Sequence, residues 1–204
     1  MWGSSTDAPG PSASRFGARK TNNTPHRCRI GERDVECYFS PSDMTTSRIA
    51  GELSSATHSI NFALLTFTRD DLADAVLARK NAGVTIHGVM DNRDDSGSEY
   101  DYLLGQGLDL HLKAGTGLLH HKYAILDAGW AGAHPAVITG SHNWSSAAEN
   151  SNNENTLIVH DAAIANLYLQ EFAARYYQFG GTGDLTVDVA SPDMPPPSTF
   201  ALLP

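Results

Sequence analysis

The residues of this chain best suited to chemistry lie in three short stretches: His120-His121-Lys122-Tyr123-Ala124-Ile125-Leu126-Asp127, then Gly140-Ser141-His142-Asn143-Trp144, then Asn153-Glu154-Asn155. The first is largely apolar and reads as a buried strand beginning at His120. Alternate residues of a strand share a face, so His120 and Lys122 point the same way. Ala136-Val137-Ile138-Thr139 is a second β-branched run, and its end at Gly140 delivers Ser141 and Asn143 into a loop. Asn155 to His160 reads as a third strand with Glu154 at its entrance. Three strand ends therefore bring together an imidazole, an ammonium, a hydroxyl, a carboxamide and a carboxylate.

Such a set suits attack on a phosphodiester. A neutral nitrogen of His120 can serve as nucleophile, and a phosphoryl group in transfer needs donors around its oxygens. Lys122, Ser141 and Asn143 are the candidate phosphate-binding donors. A carboxylate on the far imidazole nitrogen would fix the tautomer and stabilise the positive charge that develops, a role assigned to Glu154. The scheme requires no metal and no other cofactor. Asp127, five residues after Lys122, falls on the opposite face at the strand end and reads as a structural turn or salt-bridge acceptor.

These residues resemble the phospholipase D superfamily, whose signature is H-x-K-x4-D, then G-S-x-N, then N-x-E or a close variant. The matching positions are His120, Lys122 and Asp127, then Gly140, Ser141 and Asn143, then Glu154. The first element alone arises by chance in roughly one chain of this length in a hundred, and G-S-x-N beyond it makes chance a poor explanation. His111-Leu112-Lys113 repeats the H-x-K spacing, but the fifth residue after Lys113 is Leu118, so it is not a second copy. His121 and His142 fill variable positions of the signature and are candidate substrate contacts. Trp144 is equally a packing residue or a pocket wall.

Composition bounds the remainder. A chain of 204 residues, 41% hydrophobic, can bury one core. It contains no run of eighteen apolar residues and, in its first thirty, no apolar leader segment. A net charge of -9 argues against a broad phosphate-tracking surface of the kind nucleic-acid binders use.

In chain order, residues 1–26 are rich in Ser, Thr, Gly, Pro and Asn and read as an arm or linker. Cys28 and Cys37 flank a hairpin signal. With Glu32 and Arg33 as turn residues they would lie opposite each other, and a disulfide would point to a secreted or periplasmic protein; a slip of one residue undoes the pairing. Val35–Phe39 reads as a strand, and Ser40-Pro41-Ser42-Asp43 caps a helix through Ala56. His58–Phe67 is an apolar central strand. Thr68-Arg69-Asp70-Asp71 caps a helix to Gly83 with Leu72, Ala75, Val76 and Arg79 in helical spacing. Strands at 84–90 and 108–112 enclose a short helix at 98–105. A final helix from Asp161 to Phe179 buries Ile164, Leu167, Tyr168, Phe172 and Tyr176. Strands alternating with helices imply an α/β fold, a mixed central sheet flanked by helices over residues 27–179. The Gly- and Pro-rich residues 180–204 read as a disordered tail.

Val35 through Tyr177 resembles one repeating unit of the superfamily. That resemblance implies an enzyme built from two facing units, one histidine attacking while the other protonates the leaving alcohol, since one imidazole cannot serve both ends of an in-line displacement. The second unit is either another copy of this chain, as a homodimer, or the amino-terminal half of a longer protein. Met1-Trp2-Gly3-Ser4-Ser5 resembles the end of a preceding unit in bacterial two-unit members and favours the latter. The expected substrate is a phospholipid head group, cleaved or transferred; a nuclease and a catalytically silent half-unit are the alternatives.

Overall fold

A computed structural model of the chain describes residues 17–22 and 25–185. Met1–Ser5 and the tail beyond residue 185 lie outside the described residues. Eight strands form one sheet in the order β1-β2-β8-β7-β6-β3-β4-β5: β1 Arg27–Ile30, β2 Arg33–Phe39, β3 Ser59–Leu64, β4 Thr85–Met90, β5 Asp109–Leu112, β6 Lys122–Leu126, β7 Ala136–Gly140 and β8 Asn155–His160. The pairs β3–β4 and β4–β5 are parallel and all others antiparallel, so the sheet is mixed. Helices α1 Thr45–Ser55, α2 Asp70–Asn81, α3 Tyr100–Gly105, α4 Ser146–Asn150 and α5 Ala162–Gln178 complete the fold.

Every residue of β3 and β6 is buried, which follows from their place in the middle of a sheet covered on both sides. Alternation sorts their side chains. Ile60, Phe62, Leu64, Ala124 and Leu126 join the core beneath α1 and α2, while Ala63, Tyr123 and Ile125 pack with Phe172 and Tyr176 of α5. On α5 the buried positions are Ala165, Asn166, Leu169, Phe172, Ala173 and Tyr176, so the stripe is turned from the expected one and Leu167 is exposed. Residues 180–185, expected to be disordered, continue the packed chain: Gly183 N donates to Tyr176 Oη at 2.8 Å and Leu185 lies against the α5 core.

The first hairpin differs from the sequence reading by one register step. Ile30 pairs with Arg33 and Cys28 with Val35, so the turn is Gly31-Glu32. Gly31, at φ 62°, takes the left-handed position that turn requires. Cys28 and Cys37 are then diagonal, both are free thiols, and burial raises the Cys37 pKa. The geometry on which a disulfide and an oxidising compartment rested is absent.

The cap expected from Ser40–Asp43 is also built differently. Asp43 accepts from Phe39 N at 2.8 Å, folding the loop back. The first turn of α1 is instead capped across the fold by Glu149, whose Oε2 accepts from Thr46 N at 2.9 Å and Thr46 Oγ1 at 2.8 Å.

Candidate active site

The loops after β2, β3, β4, β5 and β7 emerge at one edge of the sheet, where β6 and β8 begin. Here the three sequence stretches meet. Strand β6 starts at Lys122, so His120 precedes the strand instead of lying in it. It is fixed from both sides: Asp91 accepts from Leu119 N, and Leu65 N donates to the His121 carbonyl at 2.8 Å. The imidazole is exposed while Lys122, two residues on, is buried at 9% exposure. The Lys122 ammonium reaches back, with Nζ 3.2 Å from His120 Nδ1, 3.5 Å from Nε2 and 3.0 Å from the His120 carbonyl oxygen. An ammonium only donates, so its defined bond goes to the His120 carbonyl oxygen, with the ring nitrogens beside it. Burial lowers the Lys122 pKa below the usual lysine value, and the nearby Glu154 carboxylate opposes that shift.

Gly140 closes β7 tightly against β8. Its φ is 151°, and a Cβ there would stand 2.1 Å from the Asn155 carbonyl oxygen, so only glycine fits. The turn it permits places Ser141 against Asn155: Ser141 N donates to the Asn155 carbonyl at 3.0 Å and Ser141 Oγ accepts from Asn155 N at 3.1 Å. The hydroxyl proton goes to Glu154 Oε2, 2.5 Å away, and Asn152 Nδ2 donates to Glu154 Oε1 at 3.0 Å. Two assignments change accordingly. Ser141 spends its donor on Glu154 instead of offering it to phosphate, and Glu154 is bonded to Ser141 and Asn152, not to His120. Asn143 turns its carboxamide oxygen inward, where it is buried without a hydrogen-bond partner among the described residues.

Asp127 lies at the far end of β6, about 16 Å of strand from Lys122 at roughly 3.3 Å per residue. Held at φ 51°, it accepts from Thr57 N, Thr57 Oγ1, His58 N and Ser59 N, each at 2.8 Å. Desolvation would raise its pKa, but those donors outweigh it and the net shift is downward. Asp127 therefore anchors the entrance to β3 and is remote from the reacting groups. Trp144 is 1% exposed and packs against Phe62 and Phe67, so it is core and not a pocket wall. The His142 side chain is also buried, with Nε2 3.4 Å from Glu149 Oε2, turned away from solvent. His121 is half-exposed and faces Glu171 at 3.3 Å.

Sequence reasoning missed Asp91, Asn152, Glu149 and Lys20. The Lys20 ammonium donates to the Ser40 carbonyl at 2.6 Å within reach of the Glu154 and Asp43 charges; burial lowers its pKa and both carboxylates oppose that. Only Asp91, at a strand end, carried a local signal. Among the described residues no group of three His, Cys, Asp or Glu side chains is arranged to hold a metal ion, and no helix is long and apolar enough to cross a membrane.

Comparison with known proteins gives the same grouping as the geometry. The family described as "Cardiolipin synthase, PLD-like domain" matches residues 49–176. The mitochondrial cardiolipin hydrolase of Xenopus tropicalis is 32% identical over 149 residues, covering 72% of this chain and 68% of that protein. A phospholipase D of Rickettsia bellii is 26% identical over 149 residues, 72% of this chain and 71% of the other. The chain spans about two thirds of the length of the mitochondrial cardiolipin hydrolases of Chlamydomonas reinhardtii, Xenopus and mouse. Among solved structures, the phospholipase D family member Nuc of Salmonella typhimurium superposes with a TM-score of 0.64 at 27% identity, covering 75% of this chain and all of that one. With a histidine and lysine at the head of one central strand, a Gly-Ser turn beside them and a carboxylate behind the serine, this chain belongs to the phospholipase D superfamily of phosphodiesterases.

Proposed function

We propose that the chain hydrolyses or transfers a phosphodiester through a phosphohistidine on His120, and that its substrate is a phospholipid head group. The observation that carries this reading is the Lys122 ammonium, 3.2 Å from the exposed His120 imidazole. A cation at that position is available to the phosphoryl oxygens as the imidazole attacks, and it resides in a desolvated site where its charge is most effective. A His120 nitrogen forms a bond to phosphorus while the bond from phosphorus to the leaving alcohol breaks, with Asn143 and Lys122 donating to the non-bridging oxygens. The alcohol takes a proton from a second histidine opposite. Water then attacks phosphorus while the phosphorus–nitrogen bond breaks and the second histidine takes the water's proton, which frees His120 and leaves a phosphomonoester as product.

The second histidine comes from a second phospholipase D-like unit, either another copy of this chain across a twofold axis beside His120 or the amino-terminal half of a longer protein. Pairing also gives Glu154 a candidate role it does not fill within one copy, as acceptor for an imidazole across the axis. The relatives named for cardiolipin hydrolysis and the -9 net charge support lipid over nucleic acid.

The test is cleavage of bis(p-nitrophenyl) phosphate in excess EDTA across a wide range of protein concentration. Specific activity that rises with concentration and saturates is expected, and His120→Asn should abolish it while the protein stays folded. Full activity in that variant refutes the nucleophile. A steep fall of turnover on an oligonucleotide with ionic strength, with none on lipid, would favour the nuclease reading.

A further inference from the structure

Asn143 sits on a short segment in which burial alternates: His142 and Trp144 are buried, while Ser141, Asn143 and Ser145 are partly exposed. Successive side chains of an extended chain leave on opposite sides, so His142 and Trp144 are two anchors flanking the asparagine. The Trp144 anchor is explained by packing against Phe62 and Phe67 and by backbone bonds on both sides. Trp144 N donates to the Thr66 carbonyl at 3.2 Å, and the Trp144 carbonyl accepts from Thr68 N at 2.8 Å.

Packing does not explain the His142 anchor. The residue is 3% exposed, and neither ring nitrogen makes a hydrogen bond among the described residues. A buried imidazole in that state carries a desolvation cost that an apolar ring would not. Its polar neighbour is Glu149 of α4, with Oε2 3.4 Å from His142 Nε2. The same oxygen accepts from Thr46 N and Oγ1 at the first turn of α1. Burial would raise the Glu149 pKa, but the facing His142 ring and the Thr46 donors outweigh it and the net shift is downward. A carboxylate fixed on α1 therefore stands against the imidazole that adjoins Asn143.

We propose that His142 is a positioning residue for the reaction: its contact with Glu149 ties the Asn143 segment to the start of α1 and holds the Asn143 carboxamide in register with the phosphoryl oxygens. The proposal rests on the reading of His120 as nucleophile and Asn143 as donor, and deepens it. His142 itself touches no reacting atom.

The test is a double-mutant cycle on bis(p-nitrophenyl) phosphate, with kcat/KM expressed per folded molecule from circular dichroism. Asn143→Ala should cost about a hundredfold, the scale of one lost oxyanion donor. His142→Phe keeps a ring of similar volume and removes the polar contact; it should cost about tenfold or more, since a displacement of about 1 Å can cost on the order of a hundredfold. His142→Gln, which keeps a nitrogen donor for Glu149, should recover part of that loss. Added to Asn143→Ala, His142→Phe should cost less than about twofold further, because a misplaced donor that is already absent cannot be lost again. Wild-type turnover in His142→Phe, or losses that simply add, overturns the proposal, as does a variant that is less stable yet fully active per folded molecule. If His142→Phe does not fold, His142→Gln and Glu149→Gln enter the same cycle, and additive losses there overturn it equally. Absence of cleavage by the wild type would count against the nucleophile instead. The positioning role is then judged by calorimetry of inorganic phosphate binding, which His142→Phe and Asn143→Ala should weaken alike; wild-type affinity in His142→Phe overturns it.

Discussion

Asp127→Asn separates a structural from a catalytic reading of the aspartate in the superfamily signature. The side chain is 2% exposed and its two oxygens accept four hydrogen bonds, all at 2.8 Å, from Thr57, His58 and Ser59. Asparagine keeps one oxygen and turns an amide toward donors, so two bonds are lost and the two that remain are no longer charge-assisted. Bonds to a charged group contribute about 1.5–3 kcal/mol each and a neutral bond about 1 kcal/mol, and orphaned buried donors add their desolvation cost. The expected loss is about 4 kcal/mol, a large share of the roughly 5–15 kcal/mol that holds a domain folded. Urea denaturation followed by circular dichroism measures it, and the melting temperature should fall by about 10 °C. Below the melting transition, activity per folded molecule should be close to wild type, because Asp127 is at the opposite end of β6 from His120. The pH dependence has a definite sign. The folded-state pKa lies below the ordinary aspartate value of 3.8, so the wild-type advantage is complete above that value and is lost as pH falls through the lower folded pKa. Wild-type stability with lost activity in Asp127→Asn would refute this account and move the residue into the catalytic set.

Two other perturbations test the frame around the site. Gly140→Ala places a Cβ 2.1 Å from the Asn155 carbonyl oxygen, so β7 and β8 must part and the Ser141–Glu154 contact must break; activity should drop more than a hundredfold, on the order of an oxyanion-hole donor's loss, and wild-type turnover would show that this turn is not needed. Glu99 is buried, and desolvation, then the neighbouring Asp70, raises its pKa to about 7. A carboxyl raised in the folded state stabilises below its unfolded pKa of 4.5 and loses that contribution as pH rises through about 7. Glu99→Gln should therefore gain stability relative to wild type between pH 5 and pH 8, measured by urea midpoints; a constant difference across that window would contradict the shift.

How much of this was legible in the residues follows from what kind of information each feature needs. The apolar run Tyr123–Leu126, helical spacing around Leu72 and Val76, and the Gly140-Ser141 turn are local, and they suffice for an α/β unit and for the grouping of His120, Lys122, Asn143 and Glu154 at strand ends. Features decided by partners distant in sequence were not legible. The hairpin register depends on which of two adjacent pairs takes the left-handed turn, and the glycine at position 31 won over Glu32-Arg33. Leu167 was expected inside because its spacing fits a helical stripe, yet the face of α5 that packs on the sheet carries Leu169 and Ala173 instead.

The sequence by itself determined the candidate set, because an imidazole, a cation and a carboxylate at strand-end spacing are properties of residue type and period. Only the tertiary structure decided what each member touches. Glu154 turned to Ser141 and Asn152, Glu149 crossed 103 residues to cap α1, and Asp127 closed on the amides of residues 57–59. Hydrogen-bond partners are selected by proximity after packing, and proximity between positions so far apart in the chain is written in no local pattern.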